Sequence, residues 1–261
     1  MTPETIKSKE DEFFRDLIST EEVKYRLIAT KDIGNGVKIY SIRPDYDTYY
    51  FKSFHGEEPP KKQKICLHFT VGYIKSDVAS LSSKKSKDGK HHISVPYVVD
   101  RSGRIYELFP DEYWSYHLGA HAVGGNEAMS SQSIGIEISN FGPLIHKDND
   151  GVLRDDLQSH DWYCDFSEKQ YYDEYSYRGC QYFASMTGVQ IDAVATLIKY
   201  LVNKHKIPMN FKSNDALFAS DAEAVAFRGI FYHTSVRRDK WDWPFTPSLK
   251  AVIARCMDKL I

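Results

Sequence analysis

Alternating hydrophobic residues predict several β-strands in the chain. In KICLHFTVG, residues 64–72, Ile65, Leu67 and Phe69 alternate with Cys66 and His68, so the two sets of side chains face opposite sides of a strand. The segment SIGIEISNFG, from residue 133, alternates in the same way, and GIFYH, from residue 229, predicts a shorter strand. The segment ISVPYVVDRSGRIYELFP, from residue 93, predicts two strands joined at residues 102 and 103.

Two segments in the second half of the chain have the hydrophobic period of a helix. VQIDAVATLIKYLVNKHKIP, from residue 189, predicts a helix that stops before Pro208, because proline does not continue a helix. TPSLKAVIARCMDKLI, at the C-terminal end, predicts a second helix with Thr246 as its N-terminal cap. Strands interleaved with helices predict an α/β domain with one mixed central β-sheet flanked by helices.

Two regions depart from this alternation. Residues 1–60 predict an N-terminal extension, with a charged amphipathic helix over residues 10–18 and a β-hairpin turned at residues 34–36. The polar segment HGEEPPKKQK leads from it into the main domain, residues 61–261. Residues 141–185 form a long polar insertion rich in aromatic residues. Loops of this length are usually functional or disordered, and the aromatic residues favour an ordered flap beside a groove.

Composition and charge exclude several classes of protein. The net charge of −2 gives no strong attraction to nucleic acids or acidic membranes, and the combined HxE…PCxxC signature of zinc deaminases is absent. The four cysteines form neither a disulfide framework nor a CxxC motif. No stretch approaches the roughly 20 apolar residues of a membrane span. The N-terminus lacks the apolar core of a signal peptide, so we expect synthesis in the cytoplasm, with later release or injection left open.

Five polar residues combine into a candidate catalytic site. Singly, each has an ordinary explanation, such as a core histidine or a surface ion pair. His68 and His233 lie in or at the end of predicted strands, and Asp242 lies in the loop beyond. Two imidazoles and a carboxylate match a catalytic zinc site, which has three protein ligands and an open fourth position. Glu137 would then handle protons, and Lys240 would stabilise developing negative charge.

Five segments, in this order, resemble the type 2 family of zinc-dependent N-acetylmuramoyl-L-alanine amidases, which includes peptidoglycan recognition proteins. They are LHFTVG, SVPYVVDRSGRIYELFPDEYWSYHLGAHAVGGN, SIGIEISN, QIDAVATLIKYLVNKHKIP and HTSVRRDKWDWP. The resemblance spans residues 62–261 and implies that family's fold. It also implies zinc ligation by His68, His233 and Asp242, a catalytic role for Glu137 and oxyanion stabilisation by Lys240. The segments leave residues 1–60 uncovered and cover the insertion poorly.

The resemblance also implies residues that contact substrate. His117 and Asn140 are candidates, with a structural hydrogen bond as the alternative for each. Tyr97 and Trp114 are candidates for packing on sugar or peptide, with core packing as the alternative. The sequence departs from the family pattern at Pro96, where the family often has histidine, and in DKWDWP, which contains an additional tryptophan.

The activity implied by the resemblance is hydrolysis of the amide bond between N-acetylmuramic acid and L-alanine, with zinc as cofactor. The substrate would be peptidoglycan or a muropeptide, and the consequence would be cell-wall degradation. A non-catalytic peptidoglycan-binding module of the same fold is the alternative, but all five candidate residues are present, which favours an enzyme. The extension and the insertion favour a phage endolysin or an injected effector over a compact recycling enzyme. Stem-peptide preference and oligomeric state are left open.

Overall fold

A seven-stranded mixed β-sheet forms the centre of the protein. The computed structural model describes residues 1–19, 25–44, 50–83, 93–146, 150–157 and 159–258. The helices are α1 (Pro3–Ile18), α2 (Ile74–Ser83), α3 (Asn126–Gln132), α4 (Gly188–His205), α5 (Asp221–Ala226) and α6 (Pro247–Met257). The strands are β1 (Tyr25–Asp32), β2 (Lys38–Pro44), β3 (Lys64–Phe69), β4 (Tyr97–Val99), β5 (Ile105–Glu107), β6 (Ser133–Ile138), β7 (Pro143–Ile145), β8 (Val152–Asp155), β9 (Trp162–Asp165), β10 (Tyr172–Tyr177), β11 (Cys180–Ala184) and β12 (Gly229–Tyr232).

The strand order in the central sheet is β1-β2-β5-β4-β6-β3-β12. Strands β4, β6, β3 and β12 run parallel to one another, whereas β5 is antiparallel to β4 and β1 is antiparallel to β2. This arrangement confirms the predicted mixed α/β sheet. Every residue of β3 is buried, as expected for a strand that is covered on both faces. The parallel register places His68 directly beside Glu137, so both lie near the carboxyl end of the sheet.

Helices cover the two faces of this sheet. On one face, α4 and α6 pack against the aliphatic side chains of β3 and β6; on the other, α1 and α2 pack near β4 and β5. Both predicted C-terminal helices are confirmed. Helix α4 ends at His205, before Pro208, and Thr246 caps α6 by accepting a hydrogen bond from the Leu249 amide. Residues 259–261 of the predicted last helix lie outside the described residues. Within the described chain, no helix is both long and apolar enough to cross a bilayer.

The first 60 residues contain the predicted helix and hairpin. Helix α1 begins at Pro3 rather than at residue 10, because Thr2 caps it and Pro3 suits the first turn of a helix. The β1–β2 hairpin turns at residues 34–36 as predicted. Strand β2 pairs in parallel with β5, so the hairpin forms one edge of the central sheet. The proposed domain boundary near residue 60 stays a prediction.

The insertion folds into a second, five-stranded sheet with the order β10-β11-β7-β8-β9. All neighbouring strands in it are antiparallel. Its hydrophobic cluster contains Leu144, Leu153, Tyr163 and Tyr172 together with Ile6 of α1, so α1 contacts both sheets. Residues 147–149 and 158 of the insertion lie outside the described part of the chain. The predicted ordered segment is therefore a small sheet that α1 helps to hold in place.

Candidate metal centre and groove

Three side chains from separate parts of the chain meet at the carboxyl end of the central sheet. The Nδ1 atoms of His68 and His233 are 2.9 Å apart. Asp242 Oδ2 lies 3.2 Å from the first nitrogen and 2.9 Å from the second. All three side chains are buried, and their ligand atoms form a group able to hold a metal ion. The structure thus brings together the three residues that the sequence predicts as ligands.

The loop that carries Asp242 is fixed by contacts with its neighbours. A short 3₁₀ turn, His233–Ser235, follows β12, and the Thr234 amide donates a hydrogen bond to the Asp242 carbonyl (2.8 Å). The Thr234 hydroxyl donates to the Trp243 carbonyl, and the Trp243 indole donates to the His68 carbonyl (2.9 Å). Trp243 is fully buried. The tryptophan that departs from the family pattern therefore anchors Asp242 next to His68.

The hydrogen-bond partners of His68 determine which of its nitrogens carries the proton. The Ser133 hydroxyl donates to the Met129 carbonyl (2.6 Å), so its oxygen accepts from His117 Nε2 (3.0 Å). His117 Nδ1 is then an acceptor, and it faces His68 Nε2 at 2.9 Å. His68 consequently carries its proton on Nε2 and directs the lone pair of Nδ1 at Asp242 and His233.

The second imidazole is oriented in the same way. His233 Nε2 lies 3.0 Å from the Leu118 carbonyl oxygen, which only accepts, so Nε2 carries a proton and the ring directs Nδ1 at Asp242 and His68. Burial lowers the pKa of His68 to about 4, and burial likewise lowers the pKa of His117 well below its usual range. Burial opposes ionisation of Asp242, but interactions with His233 and His68 outweigh it and lower the pKa of this carboxyl. The cluster thus combines uncharged His68 with an ionised carboxylate.

This donor set fits a divalent metal ion. When both imidazoles are neutral, two nitrogen lone pairs and a carboxylate oxygen face one another without an intervening proton. Such an arrangement is unfavourable unless a cation lies between the atoms. Ligand atoms about 2.0–2.1 Å from a tetrahedral zinc ion are about 3.3 Å apart, close to the separations of 2.9–3.2 Å observed here. Two histidines and one carboxylate are also a known ligand set of catalytic zinc.

His233 and Asp242 of this cluster line an open groove of about 820 Å³. Glu137 and Lys240 line the same groove. His68 is not among the lining residues, but its Nδ1 contacts both His233 and Asp242. Glu137 is level with His68 on the neighbouring strand. Burial lowers the pKa of His68 most, and the interaction with His233 lowers it further. The positive charge of Lys240 lowers the same pKa by a smaller amount. Other lining residues include Thr70, Asp77, Tyr116, His121, Asn126, Leu157, Arg237 and Trp241.

Of the predicted substrate contacts, only His117 is among the described residues that line the groove. Both of its ring nitrogens face protein atoms, so a hydrogen bond from this ring to substrate would have to replace one of them. Gly135 leaves space for the ring, because a β-carbon there would lie 3.3 Å from His117 Nδ1 and 2.5 Å from Val95. Asn140 is fully buried: its amide donates to the Ala184 carbonyl (3.0 Å) and its oxygen accepts from the Gly142 amide.

Tyr97 and Trp114 are buried away from the groove. The Tyr97 hydroxyl donates to Asp111 (3.0 Å), and the Trp114 indole donates to the Ser53 carbonyl (2.9 Å). These contacts, like those of Asn140, favour the structural alternative over contact with substrate.

Asp77, which the sequence does not single out, is a buried carboxylate from the first turn of α2 that lines the groove. Its Oδ2 accepts hydrogen bonds from the hydroxyls of Thr70 (2.9 Å) and Ser139. Burial raises the pKa of Asp77 to about 6, although these hydrogen bonds act in the opposite direction. A single aspartate at the start of a short helix is an ordinary surface pattern, and no periodicity in the sequence distinguishes it.

The fold and the site define a mixed α/β protein whose two histidines and one aspartate form a potential metal centre beside a groove. The chain belongs to the N-acetylmuramoyl-L-alanine amidase family (Amidase_2), whose sequence profile matches residues 58–244. This confirms the resemblance seen in the sequence. The chain is also similar to N-acetylmuramoyl-L-alanine amidase AmiD of Escherichia coli (strain K12), with 31% identity over 86 residues. That match covers 32% of this chain and 30% of the relative, less than a third of its length.

Solved structures of such amidases are similar to this chain at low identity. The complex of E. coli AmiD with anhydro-N-acetylmuramic acid-L-Ala-D-γ-Glu-L-Lys has a TM-score of 0.41 and 19% identity, over 70% of this chain and 52% of that protein. The amidase LysC from Clostridium intestinale URNW has a TM-score of 0.45 and 16% identity, over 82% and 95% of the two chains.

Proposed function

We propose that this protein hydrolyses the amide bond between N-acetylmuramic acid and L-alanine in peptidoglycan or muropeptides. We further propose that it uses a zinc ion held by His68, His233 and Asp242. Membership of the amidase family supports the reaction. The observation that carries the metal assignment is the convergence of three ligand atoms, 2.9–3.2 Å apart, beside an open groove that His233 and Asp242 line.

The proposed reaction divides the chemistry between the metal centre and two residues of the chain. When bound by these three residues, a zinc ion would supply Lewis acidity and would lower the pKa of a bound water to about 7. Glu137, beside His68, accepts a proton from the attacking water and returns it to the departing alanine nitrogen. The Lys240 ammonium stabilises the negative charge that develops on the carbonyl oxygen of the scissile amide. The C–N bond breaks, leaving a lactyl carboxylate and a free alanine amine.

The function is tested by incubating the purified protein with intact sacculi and, in parallel, with soluble anhydro-muropeptides. We expect mass spectrometry to detect stem peptides with a free N-terminal L-alanine, a chelator to stop their release, and added zinc to restore it. Preference for sacculi would support a cell-wall-degrading lysin or effector, whereas preference for soluble fragments would support a recycling enzyme. Binding to sacculi without release by zinc-loaded protein would contradict the proposal and favour the non-catalytic binding module.

The first prediction concerns Lys240. We expect Lys240→Ala to lower kcat by about 10²–10³-fold, because loss of one group that stabilises the oxyanion has this effect in other hydrolases. Zinc content should be unchanged, since Lys240 is not part of the ligand cluster. The measurement is steady-state release of stem peptide. Lys169→Ala removes an exposed lysine from the 3₁₀ turn before β10 and serves as the control; equal kcat values for the two variants would exclude the proposed role of Lys240.

A second prediction concerns His117, which fixes the proton of His68. We expect His117→Ala to lower the affinity for zinc by about 10–100-fold, the usual effect of removing a residue that orients a metal ligand. Competition with a chromophoric chelator measures this affinity. The matched control is His121→Ala, which removes an exposed histidine four residues further along the chain and should leave zinc affinity unchanged. Equal affinity of His117→Ala and wild type would show that His68 needs no such support.

A further inference from the structure

The hairpin β10–β11 of the second sheet packs against the loop that carries Lys240 and Asp242. Every second residue of β10 forms a hydrogen bond with a segment outside the sheet. Asp173 accepts from the Ser248 amide (2.9 Å), and the hydroxyls of Tyr175 and Tyr177 donate to the side chain and the carbonyl of Asp215. The same Asp215 carboxylate accepts from the Phe245 amide (3.3 Å). Hydrogen bonds therefore link the insertion to the segment on the C-terminal side of Asp242.

Arg178, at the turn of this hairpin, forms hydrogen bonds with the segment on the N-terminal side of Asp242. Its Nη1 donates to the carbonyl oxygen of Arg237 (3.2 Å) and to that of Lys240. The guanidinium also packs on the ring of Tyr177, 4.9 Å from the centroid. A single planar cation thus binds both ends of the four-residue segment 237–240, and a guanidinium suits this role because it has several donors in fixed directions.

The backbone of the hairpin presents Arg178 to this segment. Tyr177 pairs with Cys180, so the turn contains only Arg178 and Gly179, and both have positive φ (+50° and +86°). Two positive φ values are typical of the tight turns that join twisted strands, where asparagine and glycine are preferred. A long side chain is unfavourable in this conformation. Its presence is explained by the two carbonyl contacts that Arg178 makes.

Asp242 has anchors of its own that do not involve Arg178. Its carbonyl accepts from the Thr234 amide, and the neighbouring Trp243 is held by Thr234 and by the His68 carbonyl. Lys240 differs, because its backbone carbonyl accepts a hydrogen bond from Arg178. The metal ligand and the lysine therefore have separate anchors, although only one residue lies between them.

We propose that Arg178 is a positioning residue, which holds the backbone of Lys240 so that its ammonium faces the scissile carbonyl. This inference rests on the proposed function, because the role of Lys240 belongs to it. Without Arg178, residues 237–240 lose both contacts, and the ammonium samples positions away from the reacting oxygen. Small displacements of a catalytic group have large effects on rate. Loss of Arg178 thus lowers kcat and leaves zinc affinity unchanged.

The test compares Arg178→Ala, Arg178→Lys and Arg154→Ala in the full chain. Arg154 is an arginine of the same sheet whose guanidinium pairs with Asp150, so Arg154→Ala controls for loss of an arginine. With a soluble anhydro-muropeptide as probe, we expect Arg178→Ala to lower kcat about 10–100-fold with little change in KM or zinc affinity. Arg178→Lys should restore much of the rate, because an ammonium also donates to carbonyl oxygens. Arg154→Ala should stay within about twofold of wild type.

Two further measurements separate positioning from general stability. In a Lys240→Ala background, Arg178→Ala should cause little additional loss, since residues that act through one another are not additive. Hydrogen exchange should increase at residues 237–240 and not at residues 233–235. The inference is overturned if the wild type is active and Arg178→Ala has the same kcat, or if zinc affinity falls together with kcat. It is also overturned if the loss of kcat in the double variant equals the product of the losses in Arg178→Ala and Lys240→Ala. If wild type releases no stem peptide, the proposed function fails, and hydrogen exchange still shows whether Arg178 orders this segment.

Discussion

Asp242→Ala is expected to bind zinc weakly and to release stem peptide more than about 10³-fold more slowly than wild type. The substitution removes the one charged member of the proposed ligand set and leaves two imidazole nitrogens 2.9 Å apart, a set with too few protein ligands for a catalytic zinc site. The loss should exceed that of Lys240→Ala, because it removes the source of the nucleophile rather than one stabilising contact. Elemental analysis of the purified variant gives the zinc occupancy, and mass spectrometry of digested sacculi gives the rate.

The matched control for this variant is Asp239→Ala. Asp239 lies in the same loop, but its carboxylate is largely exposed and pairs with Arg237. This change should leave zinc occupancy at the wild-type level. Full zinc occupancy in Asp242→Ala would remove this aspartate from the ligand set and would require a different third ligand.

Glu137→Ala is expected to retain zinc and to lose turnover. Proton transfer by a positioned side chain contributes about 10²–10⁴-fold to rate, so we expect kcat to fall within this range. Zinc occupancy should be unchanged, because the three clustered ligand atoms belong to His68, His233 and Asp242 and not to Glu137. Parallel measurements of zinc content and stem-peptide release test both halves of the prediction.

Glu137→Gln refines this test, because it keeps the size of the side chain and removes its basicity. Glu127→Gln, at an exposed glutamate in the first turn of α3, provides the control for the same chemical change. Near wild-type turnover in either Glu137 variant would falsify the proton-transfer role. Together with Asp242→Ala, these variants separate metal binding from proton transfer, since only one class of variant should lose zinc.

The order and type of the main elements were predictable because each depends on its own short stretch of sequence. Alternation in β3 and β6 and the helical period of α4 report which side chains face the core. Thr246 is identifiable as a cap because its hydroxyl accepts a hydrogen bond from the Leu249 amide, only three positions further along the chain. The structure starts α1 earlier than the sequence predicts, because residues 3–9 are mostly polar and Ile6 is the one buried apolar side chain among them.

The residues of the proposed site could also be predicted, because His68, Glu137, His233, Lys240 and Asp242 lie in segments that resemble a known family. The structure adds their convergence, which follows from the parallel register of β3, β6 and β12. For residues outside the resemblance the sequence was less informative. The insertion appeared as a polar segment with many aromatic residues, whereas its strands pair with one another and use Ile6, more than 130 residues away, in their hydrophobic cluster.

By itself, the sequence determined the class of the domain, its main strands and helices, and the residues with the chemistry for a metal site, because these depend on local periodicity and on residue type. Only the tertiary structure decided which hydrogen bonds those residues make. The position of the proton on His68 depends, through His117, on Ser133, which is 65 residues away. The hydrogen bond to the backbone carbonyl of Lys240 comes from Arg178, which is 62 residues away. Such partners are set by strand register and by packing between elements, which no single stretch of sequence specifies.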